Sequence, residues 1–431
     1  MTFEITPEYQ KVFDAINLRD PLIFVDGEGG TGKSILIGLI RDMVGSNLAV
    51  LAPTGAAALH IKGQTIHSFF GFKSGALPGN WVKPKTKGVE IFKNLRLLII
   101  DEVSMVRADL IDAIDIFLRL NGPYPERIFG GIQVLFVGDL LQLPPVVTEH
   151  EKIVLEEHGY AAPYFFEAKA LQNKALYKIT LAKVYRQTDE LFKGILKSIR
   201  YNENTNQSIA LLNQHCVKSA SSAASEPIND SIILTAKNDA ADTLNFDKLN
   251  SIDSEEFQYQ GDVTGLFASE GTFPVPEVLR LKVGAKVMFT ANDRHKRWVN
   301  GTIGTIKECL KKSVMVDIAN EGVSTTLEVF QTEWFCEKYA VKSKGGGVEA
   351  IKTGSFRQLP LKLAWAVTIH KSQGQSFDSV HLDLSGRFAP GQLYVALSRC
   401  RSLEGLTLTK PILETHVVCD EAIKIFLRNQ L

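Results

Sequence analysis

Four short apolar runs in the first third of the chain constrain its fold more than any other feature. They are PLIFVD, NLAVLAP, LRLLIID and IQVLFVGD, at residues 21–26, 47–53, 95–101 and 132–139. Uninterrupted Leu, Ile and Val runs are typical of strands that are covered on both faces, as in a parallel sheet. Helical periodicity lies between them, as in the stripe formed by Leu36, Leu39, Ile40 and Met43. The alternation predicts an α/β fold with an open sheet, which binds ligands beyond the carboxyl ends of its strands.

A second α/β pattern occupies the other half of the chain. Its apolar runs are SIILTAKN, SVHLDL and LTLT, at residues 231–238, 379–384 and 406–409. Between the first two of these runs, short alternating segments with Gly and Asn turns predict a small β-barrel. In the first half, a stretch rich in Gly, Pro and Lys at 71–88 predicts an inserted loop or small subdomain.

We therefore expect two α/β domains, each interrupted by one insertion. The first domain spans 1–180 and carries its insertion at about 68–92. The second domain spans 181–282 and 359–431, and the barrel occupies 283–358 between these two parts.

The charge balance argues against a protein that coats nucleic acid by bulk charge, because 48 basic and 48 acidic side chains cancel. Residues 280–312 nevertheless hold nine Lys or Arg and only two acids. Within them, RHKRWVNG at 294–301 is either a surface near bound nucleic acid or a solvated face.

Cysteine usage and hydropathy indicate the compartment. Five widely spaced cysteines without a CxxC pair argue for a reducing environment and against a metal cluster. No apolar run reaches the roughly 18 residues of a membrane span. The N-terminus resembles neither a signal nor a transit peptide. We expect a cytoplasmic protein without membrane contact.

The segment GEGGTGKS at 27–34 matches the phosphate-binding pattern GxxxxGK[ST], and it follows a predicted strand and opens a predicted helix. Glycines let backbone N–H groups turn toward phosphate, and the lysine places a charge at the β- and γ-phosphates. The serine hydroxyl is a typical Mg²⁺ ligand. We predict an ATP and Mg²⁺ site formed by Gly30, Thr31, Gly32, Lys33 and Ser34. The alternative is a Gly-rich turn with a solvated lysine.

Two adjacent carboxylates follow the third apolar run, in LLIIDEVSM. Asp101 is predicted to hold Mg²⁺ through water, and Glu102 to polarise the attacking water as a general base. The alternative is a helix N-terminus, where an acid interacts favourably with the helix dipole. Beside a phosphate-binding loop, the catalytic interpretation is favoured.

Phosphoryl transfer also needs positive charge near the γ-phosphate, and arginine supplies a permanently charged planar fork. Arg186 in VYRQ and Arg399 in LSRC are the candidates. Taken singly, each arginine is more often part of a surface ion pair, and the two become credible as a pair only if the second domain closes over the first.

A glutamine in VGDLLQLPPV, Gln142, precedes two prolines that restrict its loop. Its simplest role is an amide that bonds to nearby backbone.

Together these segments resemble superfamily 1 DNA helicases of the 5′-to-3′ type, in the branch with the petite-integration-frequency (Pif-one), Dda and RecD enzymes. The match runs from TPEYQKVFDAI at 6–16 to SRCRSLEGL at 398–406, through LAPTGAAA, QTIHSFF, GDLLQLPP, VYRQ, ILTAKNDAADTLN and LAWAVTIHKSQGQSFD. FGGIQ at 129–133 resembles the signature of the Pif-one subgroup, although Ile128 stands where that group often has proline.

The resemblance implies two RecA-like domains, a small wedge inserted in the first and an SH3-like barrel inserted in the second. It implies ATP-driven 5′-to-3′ movement on single-stranded DNA and unwinding of duplex or structured DNA in replication, repair or recombination. Gln10 would read the adenine, Gly374 would lie at the nucleotide, and Gln142 would face the γ-phosphate and couple hydrolysis to strand movement. Such a protein would bind single strands and strand–duplex junctions as a monomer, near the nucleoid if its source is bacterial.

Binding of a single strand without sequence preference needs phosphate donors along a groove, beside apolar or aromatic surfaces. The candidates lie at loop ends of both halves: Thr54, Thr65, His67, Thr235, Asn238, Thr368, His370 and Lys371. For each histidine, a structural role is the alternative. Trp81 is a candidate for stacking on the duplex end, with simple packing as the favoured alternative.

Three functions remain open from the sequence. The favoured one is a motor that hydrolyses ATP and separates duplexes. The others are a P-loop phosphotransferase with a small-molecule or protein substrate, and an ATP switch that grips DNA without unwinding it.

Overall fold

The computed structural model describes residues 5–72, 75, 82–185, 187, 189–217, 231–270, 273–320, 323–341 and 348–429. Contacts divide the chain into two units. The first unit consists of Met1–Tyr185, Cys336–Thr353 and Asp420–Leu431. The second consists of Arg186–Phe335 and Gly354–Cys419.

The helices of the described residues are, in chain order, α1 Pro7–Leu18, α2 Lys33–Val44, α3 Gly55–His60, α4 Ile66–Phe70, α5 Glu90–Asn94, α6 Ala108–Asn121, α7 Glu149–Glu157, α8 Glu190–Tyr201, α9 Thr205–Cys216, α10 Asn238–Asn250, α11 Phe267–Glu270, α12 Gln392–Leu397 and α13 Glu421–Asn429.

The strands are β1 Leu22–Gly27, β2 Leu48–Ala52, β3 Gln64–Thr65, β4 Leu97–Ile100, β5 Gln133–Gly138, β6 Tyr177–Leu181, β7 Ile232–Thr235, β8 Glu256–Gln260, β9 Asp262–Gly265, β10 Val278–Lys282, β11 Lys286–Phe289, β12 Ile303–Cys309, β13 Ser313–Asn320, β14 Val323–Phe330, β15 Thr332–Val341, β16 Val348–Gln358, β17 Leu361–Leu363, β18 Ala366–Thr368, β19 Val380–Leu382 and β20 Leu406–Leu408.

The four apolar runs form the centre of a parallel sheet in the first unit, as predicted. Its strand order is β3-β2-β4-β5-β1-β6, and every neighbouring pair is parallel. β1, β2, β4 and β5 are buried along their whole length, which explains their uninterrupted apolar sequences. The two outer strands were not predicted, because β3 has only two residues and β6 alternates with exposed positions.

Side chains of β1 alternate between two packing layers. Ile23 and Val25 pack in a cluster with residues of α1 and α2. Phe24 points to the other layer, where its ring lies 5.5 Å from that of Phe165 and 6.1 Å from that of Phe426. Full burial of each such side chain contributes about 1.5–3 kcal/mol, so β1 is fixed from both faces and the loop that follows it has a rigid base.

The second unit contains its own parallel sheet, also as predicted. Its order is β18-β7-β19-β20, and the three neighbouring pairs are parallel. The predicted runs SIILTAKN, SVHLDL and LTLT contain β7, β19 and β20. β18, which lies in LAWAVT, was not predicted as a strand.

The alternating segments of the second unit form antiparallel strands. Five of them make a sheet in the order β14-β13-β12-β11-β17. Buried side chains of this sheet form one core cluster, which includes Val287, Phe289, Val314 and Val316 of the strands and Trp298 of a connecting segment. A period-2 pattern with one buried face explains this arrangement. Closure into an SH3-like barrel stays a prediction.

The first unit extends to Tyr185 instead of 180, and two longer segments belong to a different unit from the one predicted. Cys336–Thr353, which we expected within the barrel, belongs to the first unit. There the Tyr339 hydroxyl accepts a hydrogen bond from Val50 N at 2.8 Å. The C-terminal helix α13, expected in the second domain, also belongs to the first unit. Its Phe426 ring stacks on that of Phe166 at 4.2 Å. These tertiary contacts have no local sequence signal.

The insertion predicted at 68–92 lies partly outside the described residues, and Trp81 is among those left out. All five cysteines are free thiols. Among the described residues, no helix combines the length and the apolar character that crossing a membrane requires.

Candidate functional site

The carboxyl ends of β4, β5 and β1 lie side by side in the first sheet. The GEGGTGKS loop follows β1, the Asp101–Glu102 pair follows β4, and Asp139–Gln142 follows β5. Neighbouring ends of a parallel sheet open on the same edge. Gly138 permits a close approach there, because an added Cβ would lie 3.0 Å from both Cγ1 and N of Val103. The fold thus brings the loop, the two carboxylates and Gln142 to one edge.

The phosphate-binding loop has a conformation that requires glycine. Gly30 and Gly32 have φ angles of 90° and 88°, where L side chains are rare. The Tyr9 hydroxyl donates to the Gly32 carbonyl at 3.0 Å, and burial raises the pKa of Tyr9 to about 12, which keeps the phenol protonated. Tyr185 N donates to the Gly30 carbonyl, and the Thr31 hydroxyl to a carbonyl of the loop itself, both at 2.9 Å. Tyrosines from two other segments are therefore hydrogen-bonded to the backbone of the loop.

Lys33 and Ser34 begin α2, so the N-terminus of this helix faces the loop. Lys33 Nζ donates to the carbonyl oxygens of Gly27 and Glu28 at 2.7 and 3.0 Å. Ser34 Oγ lies 3.3 Å from Nε2 of His60, a residue that the sequence interpretation did not include. A helix N-terminus with a lysine charge attracts an anion. These groups fit the phosphates of a nucleotide.

A Gly32→Ala substitution is expected to weaken nucleotide binding about tenfold, which corresponds to about 1.4 kcal/mol. The added Cβ would lie 2.4 Å from the Tyr9 hydroxyl, and the left-handed conformation adds roughly 1–2 kcal/mol of strain. Gly38→Ala on α2 is the matched control, because a Cβ there meets nothing within 4 Å. Titration with a fluorescent nucleotide measures both affinities. Equal affinity in the two variants would contradict this account of the loop.

Asp101 and Glu102 have different environments. Asp101 is buried, and this burial, together with the adjacent Glu102 carboxylate, raises the pKa of Asp101. A cation would offset the unfavourable charge. Asp101 and the Ser34 hydroxyl both supply oxygen donors of the kind that Mg²⁺ prefers, and their joint Mg²⁺ site stays a prediction. In the described ranges, no group of three or more His, Cys, Asp or Glu side chains forms a metal site. Glu102 is half-buried with a φ of 49°, and such strain at a non-glycine residue is typical of functional positions.

Gln142 is held by a carboxylate that the sequence interpretation missed. Asp139 is fully buried, and its Oδ2 accepts from Gln142 Nε2 at 2.9 Å. Its Oδ1 accepts from Leu141 N at 3.2 Å. Because only the amide NH₂ can donate, the carboxylate fixes the orientation of the Gln142 side chain. The available signal was an aspartate at the end of a strand, a residue whose side chain often closes a turn two residues ahead.

Gln10 and Gly374, the other predicted nucleotide residues, show no feature specific to a base. Gln10 is exposed on α1 and donates to Asp14 Oδ1 at 2.9 Å, a bond that it would have to release to read an adenine. Gly374 is exposed with a φ of 80°, and an added Cβ would meet nothing within 4 Å. Their roles at the nucleotide stay predictions.

The Arg399 guanidinium is buried within the second unit, where only 1% of the residue is exposed. It donates to the carbonyl oxygens of Ser372 and Gln375 at 3.4 and 3.1 Å, and to Ser398 Oγ at 2.8 Å. The side chain thereby ties the end of α12 to the turn after β18. Its phosphate contact stays a prediction, and Arg186 lies outside the described residues.

In the first unit, two predicted DNA contacts are helix N-caps. Thr54 Oγ1 accepts from Ala57 N, and Thr65 Oγ1 accepts from Ser68 N, both at 3.3 Å. A hydroxyl that accepts from the backbone still has its own hydrogen to donate to phosphate. Burial and the nearby Arg107 charge lower the pKa of His67, so this residue is neutral at neutral pH.

In the second unit, Thr235 and Thr368 are register partners at the carboxyl ends of β7 and β18. Thr368 Oγ1 accepts from Lys371 N at 3.3 Å and keeps its hydrogen. Thr235 instead donates to the Lys237 carbonyl at 3.1 Å, which makes it the weaker phosphate donor. Asn238 begins α10 and is exposed, as are His370 and Lys371.

Lys362 on β17 extends this cluster, and no motif pointed to it. Burial and the nearby Lys371 ammonium lower the pKa of Lys362 to about 8. Two neighbouring cations repel each other, and an anion placed between them would relieve the repulsion. The second unit therefore contains hydroxyls and positive charge suited to phosphate.

The fold and the site define a P-loop nucleoside triphosphatase, because the phosphate-binding loop, an Asp-Glu pair and a glutamine meet at adjacent strand ends. The family model described as PIF1-like helicase matches residues 4–206. The ATP-dependent DNA helicase Pif1 of Bdellovibrio bacteriovorus is 31% identical over 94% of this chain and 88% of its own length. The chain therefore belongs to the PIF1-like helicase family, which confirms the resemblance seen in the sequence.

Other relatives agree with this assignment. The ATP-dependent DNA helicase PIF1 of Danio rerio is 34% identical over 94% of this chain, and the chain spans 60% of that relative's length. Bacteroides sp. Pif1 in complex with ADP-AlF4 superposes with a TM-score of 0.89 at 33% identity, covering 99% of this chain and 97% of the other. The same enzyme bound to single-stranded DNA gives a TM-score of 0.68 at 34% identity, with the same coverage. The structural match confirms the fold class with two RecA-like domains.

Proposed function

We propose that the chain is an ATP-dependent DNA helicase that moves 5′ to 3′ on single-stranded DNA and unwinds duplex or structured DNA. The observation that carries the proposal is the meeting of the phosphate-binding loop, Asp101, Glu102 and Gln142 at adjacent strand ends. Relatives named ATP-dependent DNA helicases, and a relative solved with ADP-AlF4 and with single-stranded DNA, support both substrates.

The proposed nucleotide steps use side chains of the first unit. The Lys33 ammonium exchanges the loop carbonyls for oxygens of the β- and γ-phosphates. Mg²⁺, held by Ser34 and Asp101, would neutralise phosphate charge when bound. Glu102 accepts a proton from the attacking water. Gln142 contacts the γ-phosphate or orients the water, and the loss of this contact after hydrolysis lets its loop shift.

The proposed DNA contacts are independent of sequence. Thr54 and Thr65 are partly exposed and have hydroxyl hydrogens to donate, and the exposed Lys371 supplies a charge, all suited to phosphate oxygens. The Thr368 hydroxyl also keeps its hydrogen, but it is buried, so its contact with a strand requires a local opening. Such donors grip a strand without selecting bases, as a motor that moves along DNA requires. A phosphotransferase with a small-molecule substrate would not need these additional phosphate donors outside its nucleotide site.

Two measurements test the proposal. The ATPase rate should rise strongly when single-stranded DNA is added, whereas an unchanged rate would favour a phosphotransferase. Strand displacement from duplexes with a 5′ or a 3′ tail then separates a motor from an ATP switch. Displacement only from the 5′-tailed duplex is the expected result, and it also fixes the polarity.

The translocating species is proposed to be a monomer. A Pif1 structure at forked duplex DNA is described as two coordinating helicases, so more than one copy acting on one fork is compatible with the proposal. Sedimentation of the protein alone and on forked DNA distinguishes a monomer that assembles on the fork from a pre-formed dimer.

A Lys371→Ala variant is expected to lose about one phosphate contact. The slope of log affinity against log salt should then fall by about 0.7 for a single strand. Lys197→Ala is the control, because Lys197 is an exposed lysine on α8 that is not among the predicted contacts. Fluorescence anisotropy over a range of salt concentrations measures both slopes. An unchanged slope for Lys371→Ala would remove this residue from the DNA path.

A further inference from the structure

The short helix α3 has a proposed DNA contact at its first end and a contact to the phosphate-binding segment at its second end. Thr54, a proposed DNA contact, caps its N-terminus through the bond to Ala57 N. His60 is its last residue, and His60 Nε2 lies 3.3 Å from Ser34 Oγ. Six helical residues span about 9 Å. A DNA phosphate donor and a contact to the proposed Mg²⁺ ligand thus lie at opposite ends of one rigid segment.

The direction of the hydrogen bond between Ser34 and His60 depends on the tautomer of the imidazole, and only one direction suits a cation at Ser34. A serine hydroxyl has one hydrogen and two lone pairs, and a neutral imidazole nitrogen without hydrogen accepts. If Ser34 donates to His60 Nε2, both lone pairs of Ser34 Oγ remain for a cation. The reverse direction would occupy one lone pair and leave the hydroxyl hydrogen directed at the cation. Partners of metal ligands commonly fix orientation in this way.

The segment around α3 is held firmly enough to move as one piece. Ala58 and Ile61 are buried in the core of the first unit. Gly63 N donates to the Ala58 carbonyl at 2.8 Å. Gly63 also packs directly on β2, since an added Cβ would lie 2.4 Å from the Val50 carbonyl oxygen. Because the C-terminal turn of α3 is packed, a displacement at one end of the helix is expected to reach the other end.

We propose that His60 is a positioning residue that orients the Ser34 hydroxyl for Mg²⁺, and that α3 couples this orientation to DNA contact at Thr54. The coupling of α3 to DNA contact rests on the proposed function. The orientation of Ser34 by His60 requires only that the chain binds Mg²⁺ and nucleotide. Because coupling between two sites is reciprocal, DNA should tighten Mg²⁺-dependent nucleotide binding, and Mg²⁺–nucleotide should tighten DNA binding.

The test measures binding rather than turnover. A fluorescent ADP is titrated into wild type, His60→Ala, His60→Gln and the control His158→Ala, at several Mg²⁺ concentrations, with and without single-stranded DNA. His158 is an exposed histidine at the end of α7 whose Nδ1 contacts only its own helix, through the Val154 carbonyl at 2.8 Å. His60 is exposed as well, so its loss should leave the melting temperature unchanged.

The expected result is specific to Mg²⁺. His60→Ala should need about tenfold more Mg²⁺ for half-maximal nucleotide binding, as is typical when the partner of a metal ligand is removed. Its nucleotide affinity without Mg²⁺ should equal that of wild type. DNA should lower the Mg²⁺ requirement of wild type about fivefold and leave that of His60→Ala unchanged. His60→Gln should keep most of both effects, because its amide oxygen can accept the same hydrogen.

Three outcomes would overturn the inference or its basis. An unchanged Mg²⁺ requirement in His60→Ala overturns the orientation of Ser34 by His60. A full DNA effect in His60→Ala overturns the coupling through α3. If wild type binds nucleotide but no single-stranded DNA, the proposed helicase function fails instead, and the Mg²⁺ titration without DNA still decides the orientation.

Discussion

A Glu102→Gln variant is expected to bind ATP with the affinity of wild type and to hydrolyse it about a thousandfold more slowly, within the range by which general bases accelerate reactions. The substitution keeps the length of the side chain and removes its ability to accept a proton. The backbone at this position is left-handed, with a φ of 49°. Glutamine imposes a similar strain there, so the change tests the carboxylate and not the turn.

The measurement has two parts. Equilibrium binding of a fluorescent nucleotide gives the affinity, and phosphate release in the presence of single-stranded DNA gives the turnover. Glu90→Gln is the control, because Glu90 is an exposed acid on α5 in a surface ion pair with Lys93. Normal turnover in Glu102→Gln would exclude this carboxylate as the base. A large loss of ATP affinity would place it in binding instead.

The local parts of the fold were predictable from sequence because burial on both faces and helix periodicity leave direct traces in the chain. The four runs that became β1, β2, β4 and β5 are fully buried, and each is apolar without interruption. Adjacent strand ends then determine the site, so GEGGTGKS and Asp101 were expected at one edge.

The unpredicted parts depend on contacts between distant segments. α13 joins the first unit through Phe426, although it follows the strands of the second unit in the chain. The contact of His60 with Ser34 joins residues 26 positions apart. No local period records such a contact, since an exposed histidine at a helix end is compatible with many partners.

Arg399 illustrates a different limit. A motif predicts that this arginine contacts phosphate, yet its guanidinium lies within the second unit, bonded to the Ser372 and Gln375 carbonyls. An arginine has five N–H donors in a fixed fork, which suits both backbone carbonyl oxygens and phosphate oxygens. Sequence alone does not distinguish bracing from phosphate binding.

A Gln142→Ala variant is expected to lose unwinding tenfold to a hundredfold while its ATP affinity changes little. An amide hydrogen bond to a charged phosphate contributes about 1.5–3 kcal/mol, and here the contact would exist only before the γ-phosphate leaves. Its loss should therefore affect the step that follows hydrolysis more than the binding that precedes it. Strand displacement, ATPase rate and nucleotide affinity are measured on the same preparation.

An Asp139→Asn variant tests whether the orientation of the Gln142 side chain matters, because it keeps Gln142 and changes the residue that orients it. The buried Asp139 carboxylate accepts from Gln142 Nε2 and Leu141 N. The two donors contact different carboxylate oxygens, and an asparagine has an NH₂ group in place of one of them, so one donor would lose its acceptor. We expect Asp139→Asn to reproduce the unwinding defect although Gln142 is intact, whereas Gln172→Ala, at an exposed glutamine of the same unit, should behave as wild type. If Gln142→Ala loses ATP binding and unwinding equally, Gln142 is a plain binding residue, and coupling of hydrolysis to strand movement must lie elsewhere.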